Sequence, residues 1–121
     1  MVSLGFGINP KNSKQPKMKE FIPQARLSTI PNLYDTQDQE NPLCHVKLFT
    51  PDGNWTWFII ELFKDDMDTC YGYVQGLENE LGYFSLKEIG GIRGLFGLAV
   101  EYDTAFTPTP LSLLLPKHTH P

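Results

Sequence analysis

Between Val46 and Ser85 apolar side chains recur at every second position in short runs, and turn-forming residues separate the runs. That period belongs to β-strands. The first run, Val46–Thr50, stops at Pro51-Asp52-Gly53-Asn54, where proline presets φ and the next residues tolerate a turn. The second extends from Trp55 to about Phe63. Strict alternation puts Trp55, Trp57, Ile59 and Glu61 on one face and Thr56, Phe58, Ile60 and Leu62 on the other. Both faces are mostly apolar, which predicts a central strand covered on both sides. Lys64–Asp68 reads as a hairpin loop. A third strand, Thr69–Gln75, then sends Tyr71 and Tyr73 to one face and Cys70, Gly72 and Val74 to the other. Gly76–Asn79 reads as a turn, and Leu81–Phe84 as a short fourth strand.

The flanks carry a different pattern. Phe21, Ile22, Ala25, Leu27 and Ile30 suit a short helix over Pro23–Thr29, which proline opens well and Pro31 stops. Asp35–Pro42 is a polar loop. Ser85-Leu86-Lys87-Glu88 matches a capping box and predicts a short helix that buries Leu86 and Ile89 and ends at Gly90-Gly91. A last strand is expected near Leu98–Glu101, followed by extended chain from Phe106. The expected fold is α+β: a small, strongly twisted antiparallel sheet of four to five strands, with an N-terminal helix and the capped helix packed on it. Trp57, Phe58, Ile60, Leu62, Tyr73, Val74, Phe84 and Leu86 should be buried. One domain over residues 20–114 is expected, between a flexible basic arm (1–19) and a flexible tail (115–121).

Composition narrows the function classes. With 121 residues, 40% hydrophobic and 20% charged, the chain has the make-up of one soluble globular domain. No apolar run approaches the roughly 20 residues a membrane-spanning helix needs, and the lysines follow the short apolar start instead of preceding it, unlike a secretion signal. Cys44 and Cys70 have no metal-like spacing and read as free thiols, which points to a cytoplasmic setting. Charge is divided unevenly. Residues 1–27 hold five basic and one acidic residue (+4), and residues 28–121 hold five basic and thirteen acidic (−8), giving the net −4. An acidic body disfavours a phosphate backbone as its partner. The arm, with Lys11, Lys14, Lys17 and Lys19, is the one basic footprint for nucleic acid.

At TPDGNWTWF, the YGYV strand and ELGYFSLKEI, the chain resembles a family of small bacterial domains of unknown function. Genes of that family are typically carried on plasmids, integrative conjugative elements and phages. The similarity runs from about Pro23 through Leu113 and includes IPQARLSTIPNLYDTQ, the strand and turn opened by His45-Val46-Lys47, and FTPTPLSLL. Where members often have tyrosine after the second tryptophan, this chain has Phe58. The resemblance implies a mobile-element setting and brings no established activity with it.

Candidate chemistry is sparse. Trp55, Trp57, Tyr71 and Tyr73 form either an aromatic platform for bases, worth about 1–3 kcal/mol per stacked base, or simply core. Asp65, Asp66 and Asp68 lack the glycine and distal glutamate of a calcium loop and read as solvated. Glu61, on an apolar strand, needs a partner if buried: function, a sheet-margin position, or a pairing with Lys64, Lys47 or Arg93. Cys44 and His45 point to opposite faces and cannot activate each other, Cys70 reads as core, and His118 with His120 makes an incomplete metal site. The glycines at 5 and 7, and at 90, 91 and 94, lack the phosphate-loop lysine. Asp52, Glu61 and Glu80 form a conceivable carboxylate cluster for acid–base work if they share a cleft.

The expected function is therefore that of a non-enzymatic accessory protein of a mobile element. It would act by binding a protein partner, with inhibition of a host defence system as one form, and would need no cofactor or metal and no membrane. The alternative is a single-stranded-DNA module built from the arm and the strand aromatics. Lys11, Lys14, Lys17, Lys19, Trp55, Tyr71 and Glu61 are the candidate interaction residues.

Overall fold

The computed structural model describes residues 17–116. Helices α1 (Met18–Phe21) and α2 (Gln24–Thr29) come first. They are followed by β1 (Leu43–Cys44), β2 (Val46–Phe49), β3 (Thr56–Leu62), β4 (Thr69–Gln75) and β5 (Asn79–Ser85). Helix α3 (Leu86–Gly90), β6 (Glu101–Tyr102), β7 (Thr109–Pro110) and a 3-10 turn at Leu111–Leu113 complete the described elements. β5, β4, β3, β2 and β6 form one antiparallel sheet in that order, and β1 pairs with β7 separately. The architecture is the expected α+β one.

β3 sits third of five, with every residue from Trp57 to Leu62 buried. One face of the sheet packs Trp57, Ile59, Leu62 and Val74 under a layer that includes Met18, Leu27, Leu86 and Ile89. The other face packs Phe58, Ile60 and Tyr73 against Cys44, Leu111 and Phe106. All eight residues expected in the core are buried. An apolar strand flanked by such layers is stable only when covered on both faces, which the two clusters achieve.

Two local readings are corrected. Helix α1 occupies part of the stretch assigned to the arm, and Met18 is fully buried beside Gly90; residues 1–16, with Lys11 and Lys14, lie outside the described residues. The aspartates after β3 are not merely solvated. Asp66 Oδ1 accepts from the backbone N–H of Asp68 and Thr69, at 2.8 and 3.0 Å. Asp68 accepts from Ser85 Oγ and from Lys87 N–H, both at 2.7 Å. Ser85 Oγ in turn accepts from Glu88 N–H at 3.2 Å, so the expected cap forms and the turn is bolted to the start of α3.

Candidate functional site

The pairing of β3 with β4 determines where its side chains point. Trp57 pairs with Val74 and Ile59 with Gly72, but then the register shifts and Glu61, not Ile60, stands opposite Tyr71. This β-bulge turns the end of β3 over. Glu61 therefore leaves the face of Trp57 and Ile59, where strict alternation put it, and joins Ile60 and Tyr71. A bulge is invisible to a period-two reading, although Gly72 opposite Ile59 marks the close approach that accompanies it.

Glu61 is 2% exposed. Its Oε1 accepts from Tyr34 N–H at 2.8 Å, and its Oε2 from Thr36 N–H at 2.9 Å and Thr36 Oγ1 at 2.5 Å. Tyr34 has φ 71°, a left-handed conformation rare outside glycine. That conformation brings the two amides round to face the carboxylate, forming a concavity of N–H groups of the kind that holds anions. Pairing with Lys64, Lys47 or Arg93, one of the alternatives for Glu61, is not seen among the described residues. Lys64 Nζ instead donates to the Leu27 carbonyl at the end of α2, Lys47 faces Asp103 at 3.6 Å, and Arg93 donates to Gly90 and Ile92 carbonyls.

Above this carboxylate lies a cleft of about 290 Å³. Its walls include Tyr34, Tyr71, Leu81 and Tyr83, and Glu40 stands on the lining with Glu61. Tyr71 and Tyr83 face across adjacent strands with ring centroids 5.1 Å apart at 54°. Burial raises the Tyr71 phenol above its usual value, and the charge of Glu61 adds to the effect. Tyr83 is raised by burial first, then by Tyr34, Glu61 and Tyr71, and it shares a side-chain hydrogen bond with Tyr34. Both phenols are neutral donors at pH 7.

The other candidates separate. Trp55 and Trp57 stack on each other, with centroids 5.8 Å apart, inside the helix-covered face. Tyr71 and Tyr73 belong to the opposite face. The four rings thus form no shared platform: the period-two pattern that makes them strand residues also buries the tryptophans. The carboxylate cluster also dissolves. Neither Asp52 nor Glu80 lines the cleft of Glu61, and Glu80 pairs with Val74, whose face is the other one. Lys17 and Lys19 share a groove with Asp66, Asp68 and Lys87, so acidic groups stand beside the described basic residues of the arm. No set of three or more histidine, cysteine, aspartate or glutamate residues among the described residues could hold a metal ion; His118 and His120 lie outside them. No helix among the described residues is long and apolar enough to cross a membrane.

The cysteines are inert. Burial pushes the Cys44 thiol up to about 12, and burial, with the charges of Asp68 and Asp66, drives Cys70 well above its usual range. The thiolate is the nucleophile, so the native protein at pH 8 is expected to take up no iodoacetamide, while the denatured chain takes up two equivalents. Intact-mass measurement checks this, and alkylation of native Cys44 would refute it. Next to Cys44, burial lowers the basicity of the His45 imidazole, and the charges of Arg26 and Lys64 lower it further.

The fold and this cleft define a small α+β domain whose chemistry-bearing feature is a buried carboxylate under an aromatic wall. The chain belongs to the DUF2958 family, proteins of unknown function, whose model matches residues 17–117. Searches of curated proteins and of solved structures gave no match.

Proposed function

We propose that the domain is a non-enzymatic protein-binding module and that it docks through the turn at Leu95-Phe96-Gly97-Leu98. The observation that carries this reading is the outward display of three apolar side chains on one short turn. Leu95 is 85% exposed, Phe96 79% and Leu98 49%. Clustered apolar exposure of this kind is characteristic of interaction surfaces, and aromatic side chains are their usual anchors.

The turn is held in place from beneath. Asp52 Oδ2 accepts from Phe96 N–H at 2.7 Å and from Leu98 N–H at 3.3 Å. Gly94 N–H donates to the Leu98 carbonyl and Gly97 N–H to the Gly94 carbonyl, each at 2.9 Å. Gly97 takes φ +82°, which glycine adopts freely. A turn fixed before docking loses less conformational entropy on binding.

The −8 balance of residues 28–121 favours a partner with a basic surface. The resemblance to domains carried on plasmids, conjugative elements and phages supports a partner encoded by the host or the element. Inhibition of a host defence protein in the cytoplasm is the form we propose. The burial of Trp55 and Trp57 in the helix-covered core weakens the support for the single-stranded-DNA alternative, which keeps Tyr71 of its strand aromatics.

The test is a paired pull-down from host lysate with the wild type and the Leu95→Ser/Phe96→Ser variant. Both positions are exposed, so stability should change by no more than about 0.5 kcal/mol each. The wild type should retain a specific protein that the variant loses. Retention of the same protein by both, or of none by the wild type, would count against the reading.

A further inference from the structure

We infer that the cleft over Glu61 is a binding site for an alkylammonium cation, with the cationic head held between the tyrosine rings and the two carboxylates. The inference is independent of the docking turn, which is built on the β2–β3 turn and the chain before β6, whereas the cleft lies over β3, β4 and β5.

Three observations combine. The first is charge: Glu61 and Glu40 line the cleft, and among the described residues no lysine, arginine or histidine lines it. Burying a carboxylate beside apolar surface without a counter-charge is costly unless donors satisfy it. Here two amides and one hydroxyl satisfy it partly. A carboxylate has about four acceptor positions, and Glu61 uses three, two on Oε2 and one on Oε1. Among the described residues no second donor reaches Oε1, which leaves one acceptor direction there for a further donor.

The second is the wall. Tyr34, Tyr71 and Tyr83 line the cleft together, and the tilt between Tyr71 and Tyr83 makes a corner instead of a flat stack. Ring faces carry negative quadrupole charge, and aromatic corners of this type attract alkylated ammonium groups. The field is felt by the phenols themselves, since the charge of Glu61 adds to what holds both Tyr71 and Tyr83 protonated. The third is shape. Leu81 and Ile60 supply apolar lining for a methylene chain, and the volume of about 290 Å³ suits a small amine, not a folded element. Apolar walls with a few convergent polar groups are the usual composition of ligand sites.

Two sources present this chemistry: a free amine, or a lysine side chain on a polypeptide. The experiment titrates the ¹³C,¹⁵N-labelled full chain with n-butylammonium chloride at constant ionic strength, and in parallel with butan-1-ol and with a lysine capped at both termini. Saturable shifts are expected at the Tyr34 and Thr36 amides and the Tyr71 and Tyr83 rings with both amines, and none with the alcohol. Tyr83→Leu, at a half-exposed position, should weaken butylammonium by about 3- to 30-fold, and Glu61→Gln should weaken it further. Tighter binding of capped lysine than of butylammonium assigns the polypeptide source; the reverse order assigns the free amine. Absence of saturable shifts in the wild type overturns the inference. So does equal binding of the alcohol, or unchanged affinity in a folded Tyr83→Leu variant.

Discussion

Gly72→Ala is expected to cost the domain at least about 3 kcal/mol, more than most overpacking substitutions. A Cβ at this position would lie 1.8 Å from the Phe58 carbonyl oxygen, 2.9 Å from its carbon and 3.2 Å from Ile59 Cα. All three are backbone atoms, so no side-chain rotation relieves the clash. The strands themselves must separate, and Gly72 is paired on both sides, with Ile59 on β3 and Gly82 on β5. Separation there opens the middle of the sheet beside the bulge that aims Glu61. With domains typically stable by about 5–15 kcal/mol, a loss of this size removes a large part of the total. Gly97→Ala is the control: nothing lies within 4 Å of its Cβ, and its φ of +82° carries the cost alone, about 1–2 kcal/mol. Urea denaturation of the three proteins checks the ordering. A Gly72→Ala midpoint equal to or above that of Gly97→Ala would show that the strands can part cheaply.

The sheet was legible because it is covered on both faces. A strand such as Thr56–Leu62, buried at six of seven positions, cannot be anything but central, and the proline, glycine and asparagine of the first turn leave its ends in little doubt. The capped helix was legible for a similar reason, since a serine followed by glutamate three residues on has one economical local use. What alternation could not give was the face of Glu61, because one inserted residue inverts every side chain after it. Nor could it give the ladder of Leu43–Cys44 with Thr109–Pro110, whose two-residue strands are too short to show a period.

The turn aspartates were hidden for another reason. Asp52, Asp66 and Asp68 sit in polar stretches where solvation is the ordinary outcome. Asp66 accepts locally, from Asp68 and Thr69 N–H, whereas Asp52 and Asp68 accept from amides distant in sequence, Phe96 N–H and Lys87 N–H. Long-range acceptors of this kind leave no local mark. The Leu95–Leu98 turn was hidden by its composition: glycine-separated apolar residues before a strand look like the strand's beginning, and only the tertiary structure shows them facing outward. Glu61 was identifiable as unusual from its apolar setting alone, whereas its partners, a tyrosine in left-handed conformation and a threonine about 25 residues earlier, were not.

Glu61→Ala is expected to destabilise the domain by about 2–4 kcal/mol, through the loop it holds and not through the sheet. The substitution strands three donors: the amides of Tyr34 and Thr36 and the Thr36 hydroxyl. A stranded buried donor costs about 1–3 kcal/mol. The sum falls below three full penalties because Tyr34 and residues 37–40 are exposed, so water can reach part of the loop once it loosens. Tyr34 gains by the change, since the carboxylate no longer enforces its left-handed backbone. The loss should therefore appear first as local opening. Hydrogen exchange at Tyr34 and Thr36 should accelerate far more than at Ile59 or Val74 in the sheet, with the global midpoint lower as well. Glu61→Gln keeps one acceptor oxygen but turns an NH₂ toward existing donors, so it should fall between wild type and alanine. Stability of Glu61→Ala within about 0.5 kcal/mol of wild type, with exchange at residues 34 and 36 unchanged, would mean that the carboxylate does not organise the loop. If instead the loop opens, the wall contributed by Tyr34 goes with it, and the cleft should lose its affinity for butylammonium in the same variant.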